Sequence, residues 1–183
     1  MLSAVIASPP NRIKSAHGGS MITHLILTAF AIEQPAENGA IVATAEQTVV
    51  FKSVQRVNET GNNLPFGAEA WSAPLDPNDR APRAMDFAAL LDGEARIAAI
   101  VSITVSAQGA STGVQIDQAA GRAPIISDDG RRIQMYLLVN DALQANKAFE
   151  GAGLKVGITA LVRTDEEPFE QYARTGVQTV RHL

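Results

Sequence analysis

The sequence contains no cysteine, which excludes disulfide bonds and a zinc site built from thiolates. Aromatic residues are also scarce, at 5% of 183 residues, and alanine, valine and isoleucine dominate the apolar residues. This composition suits a thin packed core better than a large ligand cavity. Long hydrophobic runs are missing as well. The longest, residues 25–32, is far shorter than the ~18 residues that a membrane-spanning helix needs.

Positive charge is not in excess either. The formal net charge is -4 and the isoelectric point is about 5.3, whereas a general nucleic-acid binder is basic. The first apolar stretch is preceded by no basic segment and is interrupted by Pro9 and Pro10, so we expect no signal peptide. Met21 is a second candidate start. We therefore expect no nucleic-acid partner and no membrane partner.

Motifs that carry chemistry are missing too. The sequence has no P-loop, no dinucleotide-binding fingerprint and no nucleophile elbow. His17, His24 and His182 are too far apart to suggest a metal site, and we expect surface or packing roles for them. Residues 127–130 predict a hairpin turn rather than a calcium loop, because two arginines follow directly. Residues 109–113 predict a loop between strands. We expect no catalytic residue, no metal and no cofactor.

What the sequence does contain is the alternation typical of β-strands. From residue 95 to residue 105 the odd positions are all apolar and the even positions are mostly small or polar. Successive side chains of a strand point to opposite faces, so this pattern predicts a half-buried strand. We predict an all-β fold, an immunoglobulin-like antiparallel β-sandwich with an extended N-terminal arm. The predicted strands are 22–32, 41–56, 95–106, 132–140, 154–163 and 169–181. The predicted core contains Val101, Ile103, Met135, Leu137, Val156 and Ile158.

The chain divides into three predicted parts. Residues 1–20 form the arm, residues 21–80 contain N-terminal strands and a long loop, and residues 81–183 form the sandwich. Proline and glycine are frequent in residues 58–85, which is typical of a functional loop or a linker. Residues 141–153 are either a short helix capped by Asp141 or a loop.

The candidate partner contacts lie in the arm and in the long loop: Arg12, Ile13, Lys14, Phe66 and Trp71. Arg12 and Lys14 make the arm locally basic, which suits an acidic patch on a partner. Trp71, the single tryptophan, is either a core residue that holds the loop down or an interface anchor. We expect the arm to be ordered only on assembly, with residues 2–7 added as a strand to a neighbour's sheet edge. Its deletion should then leave folding intact but prevent assembly.

A resemblance to a known group rests on two segments. They read Leu75-Asp76-Pro77-Asn78-Asp79 and Asp86-Phe87-Ala88-Ala89-Leu90-Leu91-Asp92-Gly93-Glu94. An Asp-Pro element followed by an Asp-aromatic turn that ends in Gly-Glu resembles small immunoglobulin-like virion proteins of tailed bacteriophages. In that group three strands follow, and then a turn rich in Thr, Asp, Glu and Arg, which here is residues 162–169. The loop at residues 141–153 is longer and richer in alanine than the group's short glycine-rich loop.

This resemblance implies a non-enzymatic virion protein that decorates or cements the capsid surface. It implies a major capsid or tail protein as partner, a homo-oligomer with a trimer favoured, and assembly in the host cytoplasm. One alternative is a tail or head–tail adaptor that joins fibres to the virion. An alternative of another class is a bacterial immunoglobulin-like binding or adhesion module, which the expected lack of export disfavours. An enzyme on a β-sandwich is disfavoured by the lack of any catalytic motif.

Overall fold

The computed structural model describes residues 38–52 and 68–183. The predicted arm, the predicted strand at 22–32 and residues 53–56 of the second predicted strand lie outside these ranges. The ten strands of the described ranges are β1 Asn38–Gly39, β2 Thr48–Val50, β3 Glu69–Ala70, β4 Ala81–Asp86, β5 Ile97–Val105, β6 Val114–Ile116, β7 Ile125–Ser127, β8 Arg132–Val139, β9 Leu154–Thr164 and β10 Gln171–Val180. One α-helical turn, α1, spans Ala107–Ser111, and single 3₁₀ turns span Ala45–Gln47, Asp141–Leu143 and Lys147–Phe149.

The strands form two sheets. One has the order β1-β7-β8-β4-β2, with β6 also paired to β8, and the other has the order β3-β10-β9-β5. The prediction of an all-β fold is confirmed, but the prediction of purely antiparallel sheets is wrong. The pairs β1–β7, β2–β4 and β3–β10 are parallel. β2 runs parallel to β4 because the strand between them in the chain, β3, lies in the other sheet. The chain therefore leaves the first sheet after β2 and re-enters it at β4 in the same direction.

One hydrophobic core receives side chains from both sheets. Ile133, Met135, Leu137 and Val139 of β8 are all buried, and so are Val156, Ile158, Ala160 and Val162 of β9. Both strands keep the alternation that the sequence predicts. Four of the six predicted core residues, Met135, Leu137, Val156 and Ile158, are confirmed at 0% exposure. β1, β2 and β3 join the same two sheets as the later strands, while the predicted divisions at residues 20 and 80 remain predictions.

β5 departs from strict alternation. Its pairing with β9 shifts register between Ile97 and Ala99 and again between Ile100 and Ser102, so Ala98 and Val101 are the extra residues of two β-bulges. Each bulge moves the next residues to the opposite face. Ile97 and Ile100 are therefore buried, whereas Val101 is only half-buried and is wrongly predicted as a core residue. Ile103 packs against the core but is also only partly buried.

The connections show one confirmed turn and two corrections. Between β7 and β8, the N–H of Gly130 donates to the Ser127 carbonyl at 2.8 Å, and its φ of 68° suits glycine, as the predicted hairpin requires. Residues 109–113 overlap α1 rather than forming only a loop, since one helical turn is too short to give an apolar period. The 141–153 segment is a loop with two 3₁₀ turns. The side chain of Asn140, not Asp141, caps the first by accepting from the N–H of Ala142 at 3.0 Å.

Candidate partner-binding surface

The four-stranded sheet ends at β5, and no strand within residues 38–52 and 68–183 pairs with the outer edge of β5. From Ile97 to Val105 the strand contains no charged residue and no proline, the residues that commonly protect an edge. The two bulges interrupt it, and at its start the N–H of Ile97 donates to the carbonyl of Gly130 in the β7–β8 turn at 2.7 Å. Thr104 is exposed near its end. A strand from another molecule can bond to such an edge through main-chain hydrogen bonds, so the β5 edge is a candidate contact surface.

An exposed aromatic residue lies beside this sheet. Phe169 is 53% exposed, and the guanidinium carbon of Arg163 lies 5.7 Å from the centre of its ring. Arg163 is on β9, directly opposite Ala99 of β5 and Gln171 of β10, on the face that points away from the core. Arginine and aromatic side chains are enriched in protein interfaces. The Arg163–Phe169 pair therefore extends the candidate surface from the edge onto the outer face of the sheet.

Trp71 lies inside the molecule, not on this surface. Its side chain is 3% exposed, and its indole N–H donates to the Ala84 carbonyl of β4 at 3.0 Å. The ring packs against Gly176 of β10 so closely that a Cβ there would come within 2.5 Å of it. Trp71 thus connects the two sheets. It is a core residue in this structure, and its side chain is not available to a partner.

The other predicted contacts are not placed by the structure. Arg12, Ile13, Lys14 and Phe66 lie outside the described ranges. The structure therefore does not bring any of them to the β5 edge or to the Arg163–Phe169 pair. They remain predictions.

Two buried arginines are features that the sequence interpretation missed. Arg83 of β4 is 1% exposed and faces the core between the sheets. Its Nε donates to Oε1 of Gln178 on β10 at 2.5 Å, and its two terminal nitrogens donate to the carbonyls of Pro82 at 2.8 Å and Pro74 at 3.1 Å. Burial lowers the pKa of Arg83 to about 10, so it is still a cation at neutral pH. A cage of neutral oxygens thus holds this charge.

Arg174 of β10 is 8% exposed. It lies directly opposite Ala160, whose side chain is fully buried, so Arg174 also points toward the core. One terminal nitrogen donates to the carbonyl of Ala173 at 2.8 Å, and the guanidinium carbon lies 5.6 Å from the centre of the Tyr172 ring. Its Nε is buried without a hydrogen-bond partner. Burial lowers the pKa of Arg174, and the electrostatic interaction with Tyr172 opposes this in part.

Tyr172 borders Arg174 and has its own acidic neighbour. Its hydroxyl donates a short hydrogen bond to a carboxylate oxygen of Glu170. This bond, together with burial, raises the pKa of Tyr172 to about 12. The phenol is therefore neutral across the physiological range. Its ring presents a fixed face to the guanidinium.

The strand alternation contains a signal for Arg83 but not for Arg174. Arg83 occupies the same face of β4 as Ala81 and Met85. A charged residue whose neighbours on that face are apolar is unusual, because a buried charge needs partners. On β10 the face of Arg174 also carries Gly176 and the polar Gln178, so the alternation there does not indicate which face is inside.

Comparison with known proteins adds no relative. No protein family, no curated protein and no solved structure matches the chain. No helix of the described residues is long and apolar enough to cross a membrane. Within residues 38–52 and 68–183 no group of three or more His, Cys, Asp or Glu side chains is placed to hold a metal ion. The expected lack of metal, cofactor and catalysis stays a prediction.

Proposed function

We propose that this chain is a non-enzymatic structural protein of a tailed-phage virion, which decorates or cements the capsid surface through contacts between subunits. The observation that carries the proposal is the form of the segment at residues 86–94, which bears the resemblance. Asp86 accepts from the N–H of Ala88 at 2.8 Å and so starts a turn. Phe87 and Leu91 are both buried. The aspartate, the aromatic residue and the leucine of the motif thus each have a structural role.

The proposal includes an immunoglobulin-like sandwich. Its support is that the sheets share one core and that four longer strands follow the motif, β5, β8, β9 and β10, with the short strands β6 and β7 between the first two. The ring of Phe87 lies 5.2 Å from that of Phe51, so the motif is attached to the sheet that contains β2. A fold stabilised in this way suits a structural protein that acts through its surface rather than through a cleft.

Subunit contact is proposed to occur at the β5 edge. The support is an edge that no described strand pairs with and that carries no charge or proline, together with the Arg163–Phe169 pair on the adjacent outer face. The occupant that fits is an extended strand from a neighbouring subunit, for which residues 2–7 of the arm are the sequence candidate. A main-chain ladder of this kind needs an edge that no lysine protects.

The test is a charge placed on this edge. Thr104→Lys puts a lysine at an exposed position of β5, and Gln115→Lys puts one at an exposed position of β6 in the other sheet. We expect both variants to fold, and only Thr104→Lys to lose oligomer formation, measured as mass in solution by light scattering. An oligomer unaffected by Thr104→Lys, or a wild-type protein that is always monomeric, would contradict contact at this edge.

The location of the chain on the virion distinguishes capsid decoration from the adaptor alternative. Electron-microscopy density for the chain on the head surface supports decoration, and density at the tail or at the head–tail junction supports an adaptor. Purified particles that lack the chain altogether would overturn both roles. Trimeric density would agree with the favoured oligomer.

A further inference from the structure

Arg174 combines three features that no other arginine of the described ranges combines. It is more than nine-tenths buried, it contacts no carboxylate among the described residues, and its Nε lacks a hydrogen-bond partner. Arg122 and Arg132 pair with Asp117 and Asp129. Arg83 is buried but bonded on every nitrogen.

The surroundings hold the guanidinium in a fixed orientation. The bond from Nη1 to the Ala173 carbonyl fixes one side, and the ring of Tyr172 lies 5.6 Å from the guanidinium carbon. The N–H groups of Nε and Nη2, on the other side of the guanidinium, remain for an acceptor. Two parallel N–H groups on this side match the two oxygens of a carboxylate. A buried donor left without an acceptor is costly, so a site of this kind favours the arrival of one.

We propose that Arg174 is a recognition site for a carboxylate, which an aspartate or glutamate side chain of a partner protein supplies. Because Arg174 is only 8% exposed and its Nε is buried, a single slim acidic side chain fits this position better than a bulky anion. Glu170, Asp92 and Glu166 raise the pKa of the Tyr172 phenol, and Glu170 already accepts the hydrogen bond of its hydroxyl. The incoming carboxylate therefore bonds to Nε and Nη2 of Arg174 rather than to the Tyr172 hydroxyl.

The inference goes beyond the virion role, since any partner with an accessible acidic side chain would qualify. Its failure would leave the proposed capsid function untouched. Loss of the oligomer in Thr104→Lys, in turn, would say nothing about Arg174.

The test observes the Nε–H of Arg174 directly by nuclear magnetic resonance of the wild-type protein. The signal is assigned by its loss in Arg174→Lys. Two probes are added at constant ionic strength: sodium acetate, and glutamate blocked at both ends as N-acetyl-glutamate methylamide. The neutral control is N-acetyl-glutamine methylamide. We expect a saturating downfield shift of the Arg174 signal with both carboxylates and no shift with the neutral amide.

The other arginines supply the internal controls. Arg83, whose Nε is already bonded to Gln178, should not shift, and half-exposed Arg163 should show at most a weak, non-saturating response. Saturation with acetate but not with blocked glutamate would overturn the protein source and assign the site to a small free carboxylate. No saturating shift with either probe, or an equal shift at Arg163, would overturn the site itself. The titration is carried out on the wild-type protein, and Arg174→Lys serves only to assign the signal.

Discussion

Arg83 and Arg174 lie on strands of different sheets, and both point into the space between the sheets, yet their surroundings differ. Arg83 donates to Gln178, Pro82 and Pro74, while Arg174 donates to one carbonyl and keeps a bare Nε. Two buried arginines thus have different roles in one core. Where the fold supplies the acceptors, the cation stabilises the fold. Where it does not, the cation is left to bind an acceptor from outside.

The cage around Arg83 also joins distant parts of the chain. Gln178 of β10 accepts from Arg83 and donates to the Ala73 carbonyl at 3.0 Å, so the network ties both sheets to the segment after β3. Gln178 is 0% exposed. A fully satisfied polar network of this kind specifies one arrangement of the sheets, because a shift of either sheet leaves buried groups unpaired.

The largest expected effect is that of removing the caged cation. Arg83→Met leaves the carbonyls of Pro74 and Pro82 and Oε1 of Gln178 without their donor, at about 1–3 kcal/mol for each buried group that finds no substitute. We expect the free energy of unfolding in urea to fall by about 3 kcal/mol or more. Arg163→Met, at a half-exposed surface position, should change it by no more than about 0.5 kcal/mol. A loss below about 1 kcal/mol for Arg83→Met would show that the cage contributes little.

A neutral hydrogen bond between the sheets provides the intermediate case. Trp71→Phe removes the indole N–H that donates to Ala84 and leaves a small void over Gly176. We expect a loss of about 2 kcal/mol, from the orphaned carbonyl and the lost packing together. Since Trp71 is the only tryptophan, unfolding must be followed by circular dichroism rather than by fluorescence. An unchanged midpoint would mean that the sheets do not depend on this contact.

How far the sequence predicts this architecture depends on whether each strand keeps its alternation. β8 and β9 keep an unbroken period of two, and the sequence places their core faces correctly. β5 carries two bulges, which no residue propensity marks, so a strict period of two predicts the wrong face for Val101. β1, β2 and β3 are two or three residues long and exist because a neighbouring strand pairs with them, which a local pattern cannot reveal.

The candidate surface could not be predicted from local sequence patterns. The β5 edge depends on which strand stands last in the sheet, and this is a property of topology rather than of sequence. The burial of Trp71 depends on Gly176, which is far away along the chain. The acceptors of Arg83 likewise come from β10 and from the segment after β3. Alternation indicates that Arg83 faces inward, but only the assembled fold shows which groups accept its hydrogen bonds.

A smaller effect concerns the ring beside Arg174. Tyr172 has its pKa raised to about 12 by the hydrogen bond to Glu170, so the neutral phenol is favoured in the folded state. The stability from this bond is complete below the ordinary tyrosine pKa of 10.0 and is lost as the pH rises through the folded value of about 12. Glu170→Gln should return the pKa toward 10.0. The near-ultraviolet absorbance of phenolate measures this in a Tyr136→Phe background, where Tyr172 is the remaining tyrosine.

Absence of any change in the Tyr172 titration on Glu170→Gln would place the cause of its shift elsewhere. In the comparison of the two arginines, a normal titration would also mean that the ring face presented to Arg174 is not fixed by Glu170.

The most direct test of the difference between the two arginines is the free energy of unfolding of Arg174→Met, measured in urea beside that of Arg83→Met. Methionine removes one hydrogen bond and the contact with Tyr172, and it also removes the buried donor that has no acceptor. These terms oppose one another, so we predict a change of no more than about 1 kcal/mol in either direction. A loss as large as that of Arg83→Met would contradict the account, because Arg174 would then stabilise the fold as Arg83 does.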